Sequence, residues 1–330
     1  MTPSSFGHLT PETLAPFADR YELTMLQGYL DQDHTPEAAF SLFFRDLPAN
    51  RGHVVAAGLE QALAAVELLS FGERARAYLA DEGFDDDFLA ALADVSVSGE
   101  IRAVPEGTVV FPNEPLLEVR APLPEAQLLE TRFLNQVGVQ SLVATKAARM
   151  RDVVECESDG QTLVDFGARR AHGTDAGLKA ARAAYLAGFD GTSLLAAGEA
   201  FGVPTYGTMA HSWVQSFPPE HETLVGHGEY LGEKRVGRVE DEKGYVRDVL
   251  GRRGESGPGQ DLLRPVVVDG ERVSDPPTLD EVRSRARENV RALPPAVRAI
   301  DDPATYEVAV SEALAAETER LRTRLEAREG

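Results

Sequence analysis

The stretch from Thr162 to His211 constrains the fold most, because it repeats a strand–loop–helix unit. Thr162-Leu-Val-Asp165 is a short apolar strand leading into Phe166-Gly-Ala-Arg-Arg170, and a helix follows from Asp175 to Leu186. Gly188-Phe-Asp-Gly-Thr-Ser193 is a second strand end and turn, succeeded by a helix from Leu194 to Phe201. Pro204-Thr-Tyr-Gly207 is a third strand, ending at His211. This alternation predicts parallel strands flanked by helices, with chemistry on the loops that follow each strand.

The flanking sequence has a different grain. Ala56 to Leu69 and Ala75 to Leu92 carry apolar residues at helical spacing. Val95–Val97, Ile101–Val104, Val109–Phe111 and Leu116–Val119 alternate around Pro105-Glu-Gly107 and Pro112-Asn-Glu-Pro115, which predicts a small antiparallel set. Residues 124–155 read as a long amphipathic helical region. Beyond Phe217, residues 218–262 are rich in Gly, Glu and Arg, with a weak strand at Tyr245–Leu250 and an exposed loop at Arg253–Gln260. A hairpin at Leu263–Val268 with Asp269-Gly270, and charged helices at Leu279–Leu293 and Tyr306–Leu325, complete the chain. The expected organisation is an α+β N-terminal domain over residues 1–160, three β/α units over 161–217 and a shortened C-terminal segment over 218–330. At 330 residues a sizeable core is possible.

Charge narrows the partners. Lys and Arg total 33 against 54 acids, a net −21, which disfavours nucleic acid and anionic membranes. Only Lys146, Lys179, Lys234 and Lys243 are lysines, and an acidic, lysine-poor surface suits a salt-adapted, halophilic cytoplasm. No stretch approaches the roughly 20 apolar residues of a membrane span, and no basic-then-apolar leader opens the sequence. Cys156 is the only cysteine, which excludes an intrachain disulfide framework and fits a reducing compartment. A cytoplasmic location is expected.

Several residues could carry chemistry, each with a plainer alternative. His211, just after a strand, is either a catalyst or a structural hydrogen-bonder. Thr192 and Ser193, with the backbone N–H of Gly191, suit a phosphate at a helix start, or simply cap that helix. Arg169 and Arg170 could grip phosphate or carboxylate bidentately, or lie solvated. His221-Glu222 with His227 lacks the spacing of a zinc protease site, and no metal ligand set is assigned. Asp85-Asp-Asp87 reads as a solvated acidic turn.

Six collinear motifs carry a resemblance. Asp19-Arg-Tyr-Glu-Leu-Thr-Met25, Arg51-Gly-His-Val-Val-Ala-Ala-Gly-Leu-Glu60, Thr145-Lys-Ala-Ala-Arg149, Asp165–Arg170, Gly188–Ser193 and Gly207-Thr-Met-Ala-His-Ser-Trp213 resemble the nicotinate phosphoribosyltransferase family in order. The likeness covers residues 16–217, and Leu263-Arg-Pro265 through Leu293 resembles that family's C-terminal segment. The resemblance implies an incomplete phosphoribosyltransferase-type (β/α) barrel that makes nicotinate mononucleotide from nicotinate and phosphoribosyl pyrophosphate, driven by ATP with Mg2+, in NAD salvage. It implies that His211 is phosphorylated by ATP and that Phe166 stacks on one face of the pyridine. Tyr21 covers the other face from a second subunit, hence a homodimer. Asp19 lies beside Tyr21, and Arg45 and Arg169 bind phosphate. Ser193 stands where nicotinamide-specific relatives carry aspartate, so it favours the acid.

The sequence also departs from that family. Four more strand–loop–helix units are expected after Phe217, but only about 45 residues separate it from Leu263. Four units need on the order of 100 or more, at roughly 30 each. The missing units would include acidic residues for ribose and magnesium, and Asp241, Asp248 and Gly251 are the nearest substitutes. A second reading therefore stands beside the enzyme: a ligand-binding or regulatory relative without turnover.

Overall fold

The computed structural model describes residues 10–157, 161–208, 210, 212, 248–250, 262–300, 302–306 and 308–329. Helices α1 (Pro11–Leu14) and α2 (Arg20–Asp31) precede strands β1 (Glu37–Phe43) and β2 (Val54–Val55). Then come α3 (Leu59–Glu67), α4 (Glu73–Asp81) and α5 (Asp86–Leu92), so the two predicted helices are three. The acidic turn at Asp85–Asp87 opens α5, where carboxylates complement the positive end of the helix. Asp85 also accepts a hydrogen bond from Gln27 Nε2 at 2.8 Å.

Strands β3 (Glu100–Ala103), β4 (Val109–Val110) and β5 (Pro115–Pro122) follow, then α6 (Leu123–Leu128) and α7 (Glu130–Glu157). β3 and β5 pair antiparallel as expected. β4 instead pairs with β2, and Val95–Val97 forms no strand. A five-stranded antiparallel sheet takes the order β1-β5-β3, continued by β9 (Arg264–Val268) and β10 (Glu271–Arg272). The predicted C-terminal hairpin thus extends the sheet of the N-terminal segment. Ile101, Leu117, Val119, Leu129, Phe133 and Val137 form the centre of the core under that sheet.

The strand–helix repeat runs through β6 (Val164–Asp165), a 3-10 turn (Ala168–Arg170), α8 (Thr174–Leu186), β7 (Gly191–Thr192) and α9 (Leu195–Phe201). β6 and β7 pair in parallel, and Thr192 bridges in parallel to Thr205, the third strand reduced to one residue. Ala144, Ala147 and Ala148 on α7 meet Ala183, Ala184 and Leu186 of α8 in a second core cluster, where small side chains bring the two helices close. The rest of the chain supplies β8 (Asp248–Leu250), α10 (Leu279–Ala292), α11 (Pro295–Arg298), β11 (Val308–Val310) and α12 (Glu312–Glu329). β8 and β11 form a separate parallel pair. Val282, Ala286 and Val290 of α10 join the second cluster, and Tyr306 stacks on Phe111 with centroids 3.7 Å apart.

Among the described residues the fold is mixed α/β and no barrel closes. Closure needs a continuous ring of about eight strands, and the described parallel set at this edge has three members.

Candidate functional site

The site is built from the carboxyl ends of three parallel strands. In register, Val164 faces Gly191, Asp165 faces Thr192, and Thr192 faces Thr205. The next level of the sheet therefore holds Phe166, Ser193 and Tyr206. Successive side chains alternate faces. Thr205 Cγ2 lies 2.6 Å from where a Cβ on Gly198 of α9 would stand, so the Thr205 level faces the helices. Phe166, Ser193 and Tyr206 belong to the opposite face. Phe166 and Tyr206 are 39% and 37% exposed.

Asp165 braces this edge. Its Oδ1 accepts from the Gly167 N–H at 2.9 Å and its Oδ2 from the Thr192 hydroxyl at 3.0 Å. Its carbonyl accepts from the Ser193 N–H at 2.8 Å. The buried Thr192 hydroxyl in turn accepts from the Leu194 N–H at 3.1 Å. This hydroxyl closes a turn onto the backbone two residues on, and the helix that starts after Leu194 takes no side-chain cap, so Thr192 stiffens the loop that presents Ser193. Gly191 is buried because the Tyr206 ring lies against it, with Cε2 2.5 Å from where a Cβ would be. Arg169 and Arg170 occupy the exposed turn after β6, on the same edge.

The remaining predicted residues sit in the N-terminal layer. Asp19 is the residue before α2, Tyr21 lies in its first turn at 45% exposure, and Arg45 is exposed after β1. Partial desolvation, then a hydrogen bond to Glu130 and its charge, push the Tyr21 hydroxyl up to about 12. Beneath it the buried Glu22 accepts from Thr131 N–H and Oγ1, at 2.9 and 2.5 Å. Buried Arg132 donates to the carbonyls of Leu128, Leu14 and Ala15. Burial raises the Glu22 carboxyl above the ordinary carboxylate range. The segment carrying Asp19 and Tyr21 is thereby fastened to the start of α7.

Within one chain, then, the structure gathers Phe166, Arg169, Gly191, Thr192 and Ser193, while Asp19, Tyr21 and Arg45 stand on a different layer. His211, His221, Glu222, His227, Asp241 and Gly251 lie outside the described residues. Among the described residues, no group of three or more His, Cys, Asp or Glu side chains could hold a metal ion. Sequence reasoning passed over Asp165 as a brace and Tyr206 as a neighbour of Ser193. Counting one residue past each strand end would have aligned Tyr206 with Phe166 and Ser193.

The mixed α/β architecture is one seen elsewhere. It superposes on the crystal structure of human nicotinic acid phosphoribosyltransferase with a TM-score of 0.78 at 24% identity, covering 92% of this chain and 99% of that one. The nicotinate-nucleotide pyrophosphorylase of Pyrococcus furiosus gives 0.60 at 16% identity, covering 86% and 97%. In sequence, residues 17–138 match the nicotinate phosphoribosyltransferase (NAPRTase) N-terminal domain and residues 258–317 the corresponding C-terminal domain. A nicotinate phosphoribosyltransferase of Mycobacterium tuberculosis is 34% identical over 436 aligned positions, covering 93% of each protein. The Bacillus subtilis nicotinate phosphoribosyltransferase is 42% identical over 220 residues, covering 66% of this chain and 44% of that protein. The chain belongs to the nicotinate phosphoribosyltransferase family. At 93% coverage a 330-residue chain supplies about 307 residues to those 436 positions, so roughly 130 of them have no residue here.

Proposed function

We propose that this protein is a cytoplasmic, ATP-dependent nicotinate phosphoribosyltransferase of NAD salvage, acting as a homodimer on an incomplete (β/α) barrel. The observation that carries the reading is the shared level of Phe166 and Ser193 at the carboxyl edge of β6 and β7, in a chain 34% identical to a relative of that name. Phe166 offers one face to the pyridine, and Tyr21 of the partner subunit covers the other. Ser193, an uncharged hydroxyl, leaves room for the nicotinate carboxylate. Arg169 and Arg45 hold phosphate oxygens beside the Gly191–Ser193 turn, whose Thr192 and Ser193 N–H groups are taken by the Pro204 and Asp165 carbonyls, and Asp19 meets substrate from the Tyr21 segment. The pyridine nitrogen bonds to the anomeric carbon as the bond to pyrophosphate breaks, a step that needs anchored phosphates more than a strong base. His211 takes up the ATP phosphoryl group that couples the cycle. Mg2+ would arrive on the phosphates of ATP and phosphoribosyl pyrophosphate. The acidic, lysine-poor composition supports work at high salt.

A second reading rests on the roughly 130 unfilled alignment positions: a family member that binds nicotinate or phosphoribosyl pyrophosphate without turnover. One assay separates them. Folded protein in high salt is given nicotinate, phosphoribosyl pyrophosphate, ATP and Mg2+, and nicotinate mononucleotide is measured against a no-enzyme control. ATP-stimulated product that disappears in His211→Ala establishes the enzyme. Ligand-induced rise in melting temperature without product establishes the binder, and neither result removes both readings.

A further inference from the structure

Three consecutive residues at the start of α7 meet the N-terminal segment that carries Tyr21. Thr131 donates its N–H and its hydroxyl to the fully buried Glu22, at 2.9 and 2.5 Å. Arg132, equally buried, donates to the Leu14 and Ala15 carbonyls at 2.9 and 3.1 Å. Glu130 meets Tyr21 itself. Its Oε2 accepts from Gln127 Nε2 at 2.6 Å, which holds the carboxylate against the end of α6, and it takes a hydrogen bond from the Tyr21 hydroxyl. That hydroxyl keeps its proton up to about 12, so it remains a donor to the carboxylate at any ordinary pH.

The two anchored neighbours and Tyr21 differ in surroundings. Glu22 and Arg132 have no exposed surface, which fixes the backbone of the first turn of α2, whereas Tyr21 is 45% exposed. An exposed ring on a fixed backbone still has rotamers to lose when a ligand stacks on it, and freezing such a side chain weakens binding about 2- to 10-fold. A contact that pins the hydroxyl end takes that loss before the ligand arrives.

We propose that Glu130 is a positioning residue for the pyridine site of the partner subunit: it fixes the Tyr21 side chain in the pose in which the ring covers the substrate. This rests on the reading of Tyr21 as the second aromatic face of that site. Glu130 touches no substrate and acts by accepting a hydrogen bond from the phenol.

The test is a double-mutant cycle on the full chain in high salt. KM for nicotinate and kcat are measured for the parent, Glu130→Leu, Tyr21→Phe and the double variant, with Glu130→Gln as the conservative change. If the parent binds without turnover, the calorimetric Kd takes the place of KM. Glu130→Leu is expected to raise KM about 2- to 10-fold with kcat within about twofold. Tyr21→Phe, which keeps the ring but loses the hydroxyl, should match it, and adding Glu130→Leu to Tyr21→Phe should raise KM no further. Glu130→Gln retains an accepting oxygen and should stay within about twofold of the parent. Melting temperatures within a few degrees of the parent show that the variants are folded. The carboxylate also lies at the positive end of α7, and loss of that contribution is common to both Tyr21 backgrounds. An equal rise in KM in both backgrounds therefore overturns the proposal, because Glu130 would then act through the helix and not through the ring. Tyr21→Phe that handles nicotinate like the parent overturns it as well, and the site stands if Tyr21→Ala loses nicotinate. A parent that neither binds nor converts nicotinate overturns the inference together with the reading on which it rests.

Discussion

Glu106 and Arg182 form a bidentate ion pair, with Nη1 and Nη2 2.9 and 2.7 Å from the two carboxylate oxygens, in the interior of the protein. The same carboxylate accepts the Gly58 N–H at 2.6 Å and the Leu59 N–H at 3.2 Å, at the start of α3. Arg285 of α10 donates to the Glu106 carbonyl at 2.7 Å. One residue thus ties the N-terminal layer to the first helix of the parallel unit and to the C-terminal helix. Burial works to raise this carboxyl, but Arg182 and the two N–H groups outweigh it and hold it below the ordinary value.

Removing one partner leaves the other charged and buried. Glu106→Gln or Arg182→Met should each cost about 3–5 kcal/mol in urea unfolding. The double variant should lose less than the sum, because the second change relieves the orphaned charge. Additive losses would show that the pair acts as two independent sites.

Gly58 adopts φ +96° and a Cβ there would run into the Gln136 carbonyl oxygen. Gly58→Ala should cost about 1–3 kcal/mol from backbone strain, and more where α3 must shift away from α7. An unchanged denaturation midpoint would contradict this.

His53 is buried, and among the described residues neither ring nitrogen has a hydrogen-bond partner. Burial first, then the charges of Arg149 and Arg298, lower it from 6.5 to about 4. The folded state therefore keeps His53 neutral. Its contribution is full above pH 6.5 and is lost as pH falls from 6.5 towards 4, by about 3 kcal/mol at 1.36 per unit. Melting temperature followed over that window should fall more steeply for the parent than for His53→Phe.

The proposed homodimer makes a statement about whole subunits. If Tyr21 completes the partner's site, Tyr21→Ala and His211→Ala chains are each inactive. Mixed and reassembled, they should recover about a quarter of parental activity, because half the dimers contain one intact site. Recovery of nothing, with dimers present by light scattering, would place Tyr21 and His211 in the same subunit's site.

The local elements of this protein were legible because each has a local cause. The strand–helix repeat from Thr162 to Phe201, the two segments of the long helix over 123–157 and the Asp269-Gly270 hairpin follow from apolar period and turn chemistry. The positions of Phe166 and Ser193 just past strand ends were legible in the same way, while their roles came from the family resemblance. β1 was not read, because Ala38, Phe40 and Leu42 on this edge strand are only half-buried and its alternation is weak. Long-range pairings left no mark either. Nothing near Arg264 announces that β9 will pair with β3, some 160 residues earlier, or that Arg182 will meet Glu106. Those contacts depend on which surfaces the folded layers bring together. The level of Tyr206 beside Ser193 is of the same kind: a register between strands, set by parallel pairing and by the vacancy at Gly191, and decided only in three dimensions.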